Sequence, residues 1–281
     1  HFVFLLQEVH RTGAAVPRAG GRGPRRIRPR TAPGAPCDIE DLARRLELHL
    51  FYVPSMRNGR PRRGLAAEDR GNAILATLPL ADLAAIELPF EAQRRVAVAA
   101  TVPLPAPDGG RWDLRVVSVH LDHRSRAARL AASAGRGRLR QARALVAGAG
   151  AGAPIALGGD FNTWADARRE RAVAYLLERF PATPAGDGRP TFHAGPLRRR
   201  LDRFFFRLPA GVCAHVRRLD DRYGSDHYPL LATLAPTPEV AAPVPPPASW
   251  TGVGLGPAGG HGPGADRPAP GRQALPNLEE R

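Results

Sequence analysis

The chain has 281 residues, enough for one large domain or two small ones, and 43% of them are hydrophobic, which suffices for a substantial core. No apolar run approaches the roughly 20 residues that a membrane-spanning helix needs, which excludes a helical transmembrane protein. The formal net charge is +15, and all 41 basic residues are arginine. Because guanidinium groups bind phosphate through a bidentate fork, a polyanionic partner such as nucleic acid is plausible; the alternative is a merely solvated basic surface.

The beginning of the chain has the pattern of a strand. His1 is followed at once by the apolar run from Phe2 to Leu6, which is typical of a buried strand. The run is too short for a signal peptide and lacks a basic flank. We therefore expect the natural N-terminus to lie upstream of His1. This leaves the compartment open, with the cytoplasm favoured and secretion possible.

Further elements follow in chain order. Residues 11–36 are rich in Arg, Gly and Pro without periodicity, and predict a loop. Helices are predicted at 38–48, at 127–147 (in two parts, broken near Gly135 and Gly137) and at 166–179. Strands are predicted at 49–53, 71–77, 94–102, 114–121, 155–157, 201–207 and 228–234.

The composition changes at about Ala235. From there the chain is dominated by Pro and Gly, and it cannot bury enough apolar surface to offset the entropy of ordering it. We expect one folded domain over residues 1–234 and a disordered tail over 235–281. The tail carries four acidic residues and three Arg, so the positive charge belongs to the folded part.

Polar side chains recur where predicted strands end. Any one of them alone is more often an ordinary turn residue, but their joint occurrence favours a reactive site. Carboxylates bind a hard divalent cation, a carboxylate or histidine removes a proton from water, and further donors stabilise transition-state charge. The pattern thus fits hydrolysis of a phosphoester. The residues are Glu8, Asn72, His120, Asp160, Asn162, Asp202, Asp226 and His227.

Six segments that contain these residues resemble, in order, the motifs of the endonuclease/exonuclease/phosphatase superfamily, which has the deoxyribonuclease I-like fold. They are LLQEVH (5–10), RGNAIL (70–75), VVSVHLD (116–122), GGDFNTW (158–164), RLDRFFF (200–206) and GSDHYPL (224–230). The resemblance covers roughly residues 2–234. It implies an α/β fold: a four-layer sandwich with two central, mostly antiparallel sheets flanked by helices.

The resemblance also implies a metal site. The cofactor is expected to be Mg²⁺, with Mn²⁺ as a substitute, Glu8 as the principal ligand and Asp226 as an assisting one. Members of the superfamily begin with a strand that ends in a metal-site Asn, one strand before the Glu motif. Nothing precedes His1 here, so this strand and its Asn are missing from the expected set.

The remaining residues take catalytic roles from the same resemblance. Asp160 is expected to position or deprotonate the attacking water, and Asn162 to orient water and phosphate. His227 is expected to lie at the scissile phosphate, held by Asp202. His120 resembles the second histidine that contacts the phosphate.

Weaker signals surround this set. Asn72 and His193 are candidate substrate-binding residues, although an Asn after Gly is also a common turn residue. Trp164 follows Asn162 closely and is expected to pack in the core, with stacking on a base as the alternative. Arg138 and Gln141 are expected on a solvated helix face.

The favoured function is a Mg²⁺-dependent phosphodiesterase or nuclease. We expect a monomeric protein whose partners are a phosphoester substrate and nucleic acid. A phosphatase or a lipid phosphodiesterase of the sphingomyelinase or inositol type is the alternative enzyme. His120 argues against the apurinic endonuclease branch, which usually lacks a histidine at this strand end. An inactive nucleic-acid-binding module is the alternative from another class.

Overall fold

A computed structural model describes residues 1–12, 38–58, 68–106, 109–123, 131–150, 152–164 and 170–237. They belong to one compact unit, His1–Pro238. The predicted loop beyond residue 12 and the predicted tail beyond residue 237 lie outside the described residues. So do residues 127–130 and 166–169 of two predicted helices. No helix within the described ranges combines the length and the apolarity that a membrane crossing requires.

The described residues form twelve strands and three helices. The strands are β1 (Val3–Thr12), β2 (His49–Asn58), β3 (Glu68–Ala76), β4 (Ala81–Leu88), β5 (Arg95–Pro105), β6 (Arg111–His120), β7 (Ile155–Asp160), β8 (Phe192–Ala194), β9 (Leu197–Arg199), β10 (Asp202–Arg207), β11 (Val212–Arg218) and β12 (Leu230–Pro236). The helices are α1 (Ile39–Arg45), α2 (Ala131–Ala149) and α3 (Arg171–Arg179).

The strands pair into two main sheets and two small ones. The first sheet has the order β1-β3-β2 and the second the order β10-β7-β6-β5-β4. All neighbours are antiparallel except β6 and β7, which run parallel. The pairs β11-β12 and β8-β9 are separate antiparallel ribbons.

Three apolar clusters define the layers. The middle cluster joins the two sheets, with Phe51 and Ile74 from the first packed with Val98 and Val116 from the second. A second cluster packs α2 and α3 on the other face of the second sheet, and a third packs α1 on the first sheet. Central strands such as β5 are therefore apolar on both faces, which explains their continuous hydrophobic runs. The predicted α/β sandwich with mostly antiparallel sheets is confirmed.

Two local predictions are wrong. Helix α2 continues through Gly135 and Gly137 without a break. A Cβ at position 137 would lie 2.8 Å from the Glu91 side chain, so this glycine permits close packing. A glycine inside a helix costs only about 1 kcal/mol, which packing offsets. Strand β1 also runs to Thr12, because Arg11 is buried and forms ion pairs with Asp69 and Glu40.

Candidate functional site

Glu8 lies at an irregularity in β1. The register of β1 with β3 shifts between Leu6 and Val9, and Glu8 adopts a φ of +54°. Such a bulge redirects a side chain relative to the regular strand. The Glu8 carboxylate is about half exposed, and its Oε2 lies 3.2 Å from Nη1 of Arg70.

Gln7, beside Glu8, connects the first sheet to the second. Its Nε2 donates to Oγ of Ser118 in β6 at 2.9 Å. The same hydroxyl donates to the carbonyl of Leu6 at 2.9 Å. These hydrogen bonds fix the bulged middle of β1, which carries Glu8, against the end of β6.

The second sheet brings three predicted residues to one edge. His120 at the end of β6 is opposite Asp160 at the end of β7, and Asp160 is opposite Asp202 at the start of β10. Nε2 of His120 lies 3.4 Å from Oδ2 of Asp160 and 3.9 Å from Oε1 of Glu8. The pKa of His120 is held well below its usual value, mainly by burial and secondly by the positive charge of Arg95. The imidazole is therefore neutral at pH 7.

The end of β7 and the segment after it require unusual backbone conformations. Gly159 has a φ of +143°, and a Cβ there would lie 2.0 Å from the carbonyl oxygen of Val119. Asn162 has a φ of +50°; its backbone N–H donates to Oδ1 of Asp160 at 2.8 Å, and its side-chain Nδ2 donates to the Leu121 carbonyl at 2.9 Å. The motif therefore holds Asp160 and Asn162 in a fixed mutual orientation.

Asp160 is a carboxyl group in an unfavourable environment for its charge. The pKa of Asp160 is raised to about 7, mainly by burial and secondly by the negative charge of Asp202. The positive charge of His227 acts in the opposite direction. A group that titrates near neutrality is suited to proton transfer at physiological pH.

His227 and Asp202 form a hydrogen-bonded pair. Nδ1 of His227 lies 2.7 Å from Oδ2 of Asp202. Burial disfavours the charged imidazole, but the bond to Asp202 and the charge of that carboxylate outweigh it and raise the pKa of His227 to about 9. His227 is therefore an imidazolium at neutral pH, and among the described residues no hydrogen bond engages its other ring nitrogen.

Arg95 is a residue of this site that the sequence reasoning missed. It starts β5, is almost fully buried, and donates from Nη1 to the sulfur of Met56 at 2.7 Å, while Nη2 lies 3.5 Å from Nδ1 of His123. Its Nε has no hydrogen-bond partner among the described residues. Burial lowers the pKa of Arg95, and the charges of Asp122, Glu8 and Asp160 counteract that effect. A buried guanidinium without a bonded carboxylate is suited to receiving an anion.

The carboxylates of Glu8 and Asp160 are the candidate ligands of a metal ion. Both approach Nε2 of His120, so they converge on one region from different sheets. Among the described residues, no group of three or more His, Cys, Asp or Glu side chains has metal-binding spacing. Mg²⁺ is usually bound by one or two carboxylates, water and substrate phosphate, so this donor set fits Mg²⁺ better than a closed all-protein site.

Three predicted residues lie apart from this convergence. Asp226 is exposed, and no hydrogen bond or ion pair of the described residues joins it to Glu8. Asn72 is buried, and its Nδ2 donates to the carbonyl of Val96 at 2.9 Å, which links the two sheets. His193 contacts the Tyr228 ring at its edge, with the ring centroids 5.3 Å apart. Their predicted roles in metal and substrate binding stay predictions.

Three other side chains differ from expectation in their exposure. Trp164 was expected in the core, but 39% of it is exposed. Arg138 and Gln141 were expected in solvent, but both are buried. Arg138 pairs with Glu170 at 2.7 Å, and Gln141 accepts a bond from the backbone N–H of Asp122 at 2.9 Å. Gln141 thus supports the segment that follows His120.

Comparisons with solved structures give the same architecture. An endonuclease/exonuclease/phosphatase from Beutenbergia cavernae is 21% identical with a TM-score of 0.54, covering 83% of this chain and 62% of that one. This chain thus spans less than two thirds of the Beutenbergia protein. A family protein from Leptotrichia buccalis is 15% identical with a TM-score of 0.54, covering 83% of this chain and 86% of that one. At these identities the likeness shows the fold alone.

Sequence comparison gives the family. No curated protein matches the chain significantly. The model of the endonuclease/exonuclease/phosphatase family matches residues 2–227, which include every predicted site residue. The chain therefore belongs to the endonuclease/exonuclease/phosphatase family, whose members are metal-dependent phosphoester hydrolases.

Proposed function

We propose that this protein is a Mg²⁺-dependent phosphodiesterase of the nuclease type. One observation carries the proposal: at one end of the second sheet Asp160 lies beside the hydrogen-bonded pair of Asp202 and His227, and the pKa values of Asp160 and His227 are both raised. The pKa of Asp160 is raised to about 7 and that of His227 to about 9. Such a pair provides a base and a cation side by side at neutral pH, which hydrolysis of a phosphate diester requires.

Each residue of the site has a distinct task in this proposal. Asp160 accepts the proton of the attacking water, and the amide of Asn162 orients that water and a phosphate oxygen. His227, charged and held by Asp202, stabilises negative charge on the phosphate or donates its proton to the leaving oxygen. Neutral His120 contacts a phosphate oxygen next to Asp160.

Two cationic elements complete the proposal. Arg95 offers to the phosphate its Nε, which bonds to none of the residues that the structure describes, from a buried position where a charge acts more strongly than in water. Glu8, with Asp226 as an assisting carboxylate, would hold Mg²⁺ beside Asp160; the ion polarises phosphoryl oxygens and offsets their charge when bound. Mn²⁺ is the expected substitute.

The charge of the chain favours nucleic acid as the substrate. The net charge is +15, and every basic residue that contributes to it is arginine, the side chain best suited to bidentate binding of phosphate. A polyanion would gain from this charge at every phosphate, whereas a small phosphoester would gain only at the reacting one.

The test is hydrolysis of bis-p-nitrophenyl phosphate by the full chain, with Mg²⁺ and with EDTA. We expect activity only with Mg²⁺ and a loss of at least about 100-fold in Asp160→Ala and His227→Ala. Asp113→Ala is the matched control, because Asp113 is an exposed carboxylate near the other end of β6. Unchanged activity in either site variant would refute the mechanism.

A substrate panel then separates the candidate classes. Single-stranded and plasmid DNA, RNA, sphingomyelin and phosphoinositides are compared at two salt concentrations. The proposal expects the highest kcat/KM on nucleic acid, with a steep decrease at high salt. A preference for a lipid would favour the alternative enzyme class, and binding of DNA without cleavage would favour the inactive module.

A further inference from the structure

Trp164 occupies an unusual position beside the reactive edge. It is separated from Asn162 only by Thr163, which is 2% exposed and accepts a hydrogen bond from Nε of Arg203 at 3.5 Å. The backbone on which Trp164 stands is therefore anchored in the core, yet 39% of Trp164 remains exposed. A large aromatic side chain that is held firmly and left open to solvent is suited to contact with a planar ligand.

A row of rings connects Trp164 to the catalytic imidazole. The Trp164 ring meets Phe192 edge to face with centroids 5.9 Å apart, and Phe192 lies 5.0 Å from the ring of His227. Phe192 and His227 also form a β-bridge, which fixes their separation. Only the ring of Phe192 therefore lies between Trp164 and His227, the residue assigned to the phosphate.

Positive charge lies along the same rim. Arg198 is the cross-strand partner of His193, the neighbour of Phe192, and Arg222 lies 5.7 Å from the centroid of the Tyr228 ring that His193 contacts. Both arginines are exposed. Aromatic rings on which bases stack, next to cations that bind the backbone, are the two features of single-strand binding surfaces.

We propose that Trp164 is a stacking platform for a base of single-stranded nucleic acid, one position away from the scissile phosphate. This inference rests on the proposed function and specifies its substrate as a base-bearing strand. Stacking requires a π-face on the ligand and is tolerant of base identity. A phosphodiester backbone without bases therefore gains nothing from Trp164.

The experiment compares two substrates that differ only in their bases. One is a single-stranded oligothymidylate, and the other is an oligomer of the same length made of abasic tetrahydrofuran units. We expect Trp164→Ala to lower kcat/KM on the base-bearing strand about 10-fold, mainly through KM, and to leave cleavage of the abasic strand unchanged. Trp164→Phe, which keeps a ring in contact with Phe192, should retain most of the activity on both.

Phe2→Ala is the matched control. Phe2 is also an exposed aromatic residue, but it precedes the first residue of β1, on the far side of that strand's start from Glu8. It should change neither activity. Equal losses on both strands in Trp164→Ala, or no loss on either, would overturn the inference while leaving the nuclease proposal intact.

Failure of the underlying function has a different outcome. If the wild-type chain cleaves neither strand but cleaves sphingomyelin or phosphoinositides in vesicles, the nuclease proposal is refuted, and the base-stacking role with it. Loss of vesicle cleavage in Trp164→Ala would then assign the residue to lipid contact instead.

Discussion

Replacing Asp160 by Asn should stabilise the metal-free protein while it abolishes activity. In the folded protein the pKa of Asp160 is raised from 3.8 to about 7, mainly by burial and then by the charge of Asp202. The folded state therefore binds a proton more tightly than the unfolded state. Between those two pKa values stability decreases as pH rises, and above the folded pKa the full penalty of the charged carboxylate is present.

The size of the effect follows from the displacement of the pKa. A shift of about 3 units corresponds to about 4 kcal/mol at pH 8, since one unit is 1.36 kcal/mol. We expect Asn to recover about half of it, because the amide replaces one acceptor oxygen by a donor. For a domain of this size, 1 kcal/mol shifts Tm by about 2–4 °C, so a gain of about 2 kcal/mol should raise the Tm of the variant by about 4–8 °C.

The assay is thermal unfolding followed by circular dichroism, in EDTA, at pH 8 and pH 5. The advantage of Asp160→Asn should disappear at pH 5, because protonation of the wild-type carboxyl in the folded state relieves about 2–3 kcal/mol of its penalty there, which is at least as much as the expected gain. Mg²⁺ should raise the Tm of the wild type more than that of the variant. Asp113→Asn, at an exposed position, should leave the Tm nearly unchanged. A variant no more stable than the wild type at pH 8 in EDTA would refute the reasoning.

Three further predictions concern other parts of the site. Arg95→Met should lower kcat/KM about 100-fold without loss of stability in thermal unfolding, because it removes a buried charge that has no bonded carboxylate among the described residues. Arg94→Met is the control and should change kcat/KM little. Unfolding of the Arg95 variant would contradict this prediction. Asp202→Asn should move the alkaline decline of kcat from about pH 9 towards 6.5, because the imidazolium of His227 loses the partner that raises its pKa; an unchanged pH profile would exclude that role. Gly159→Ala should cost about 3 kcal/mol or more in urea unfolding, since its φ of +143° and the backbone 2.0 Å from the added Cβ both oppose a side chain.

Much of the reactive edge was predictable because it depends on local patterns. Strands β6, β7 and β10 are apolar runs that each adjoin a polar residue, and they pair in one sheet with those residues in register. The family motifs then identified the fold. The prediction of the helix over 38–48 was right in kind, because Asp38 accepts hydrogen bonds from the backbone N–H groups of Glu40 and Asp41 as an N-cap.

What the sequence did not reveal depends on contacts between distant segments. Strand β4 has the sequence ADLAAIEL, whose Ala, Leu and Glu favour a helix, but it is extended because β5 provides an edge with which it pairs. Arg95 is one of 41 arginines, and only its burial distinguishes it. The same is true of Gln141, whose partners lie 19 and 52 residues away.

The hydrogen bonds of Gln7 and Ser118 have a consequence for how this site can fail. Glu8 comes from one sheet, whereas His120, Asp160 and Asp202 come from the other. The distance between Glu8 and Asp160 therefore depends on how the two sheets are aligned, and the hydrogen bonds of the Ser118 side chain fix that alignment. Sliding of one layer over the other by a fraction of a residue would disable the chemistry while every strand, helix and apolar contact within each layer stayed intact.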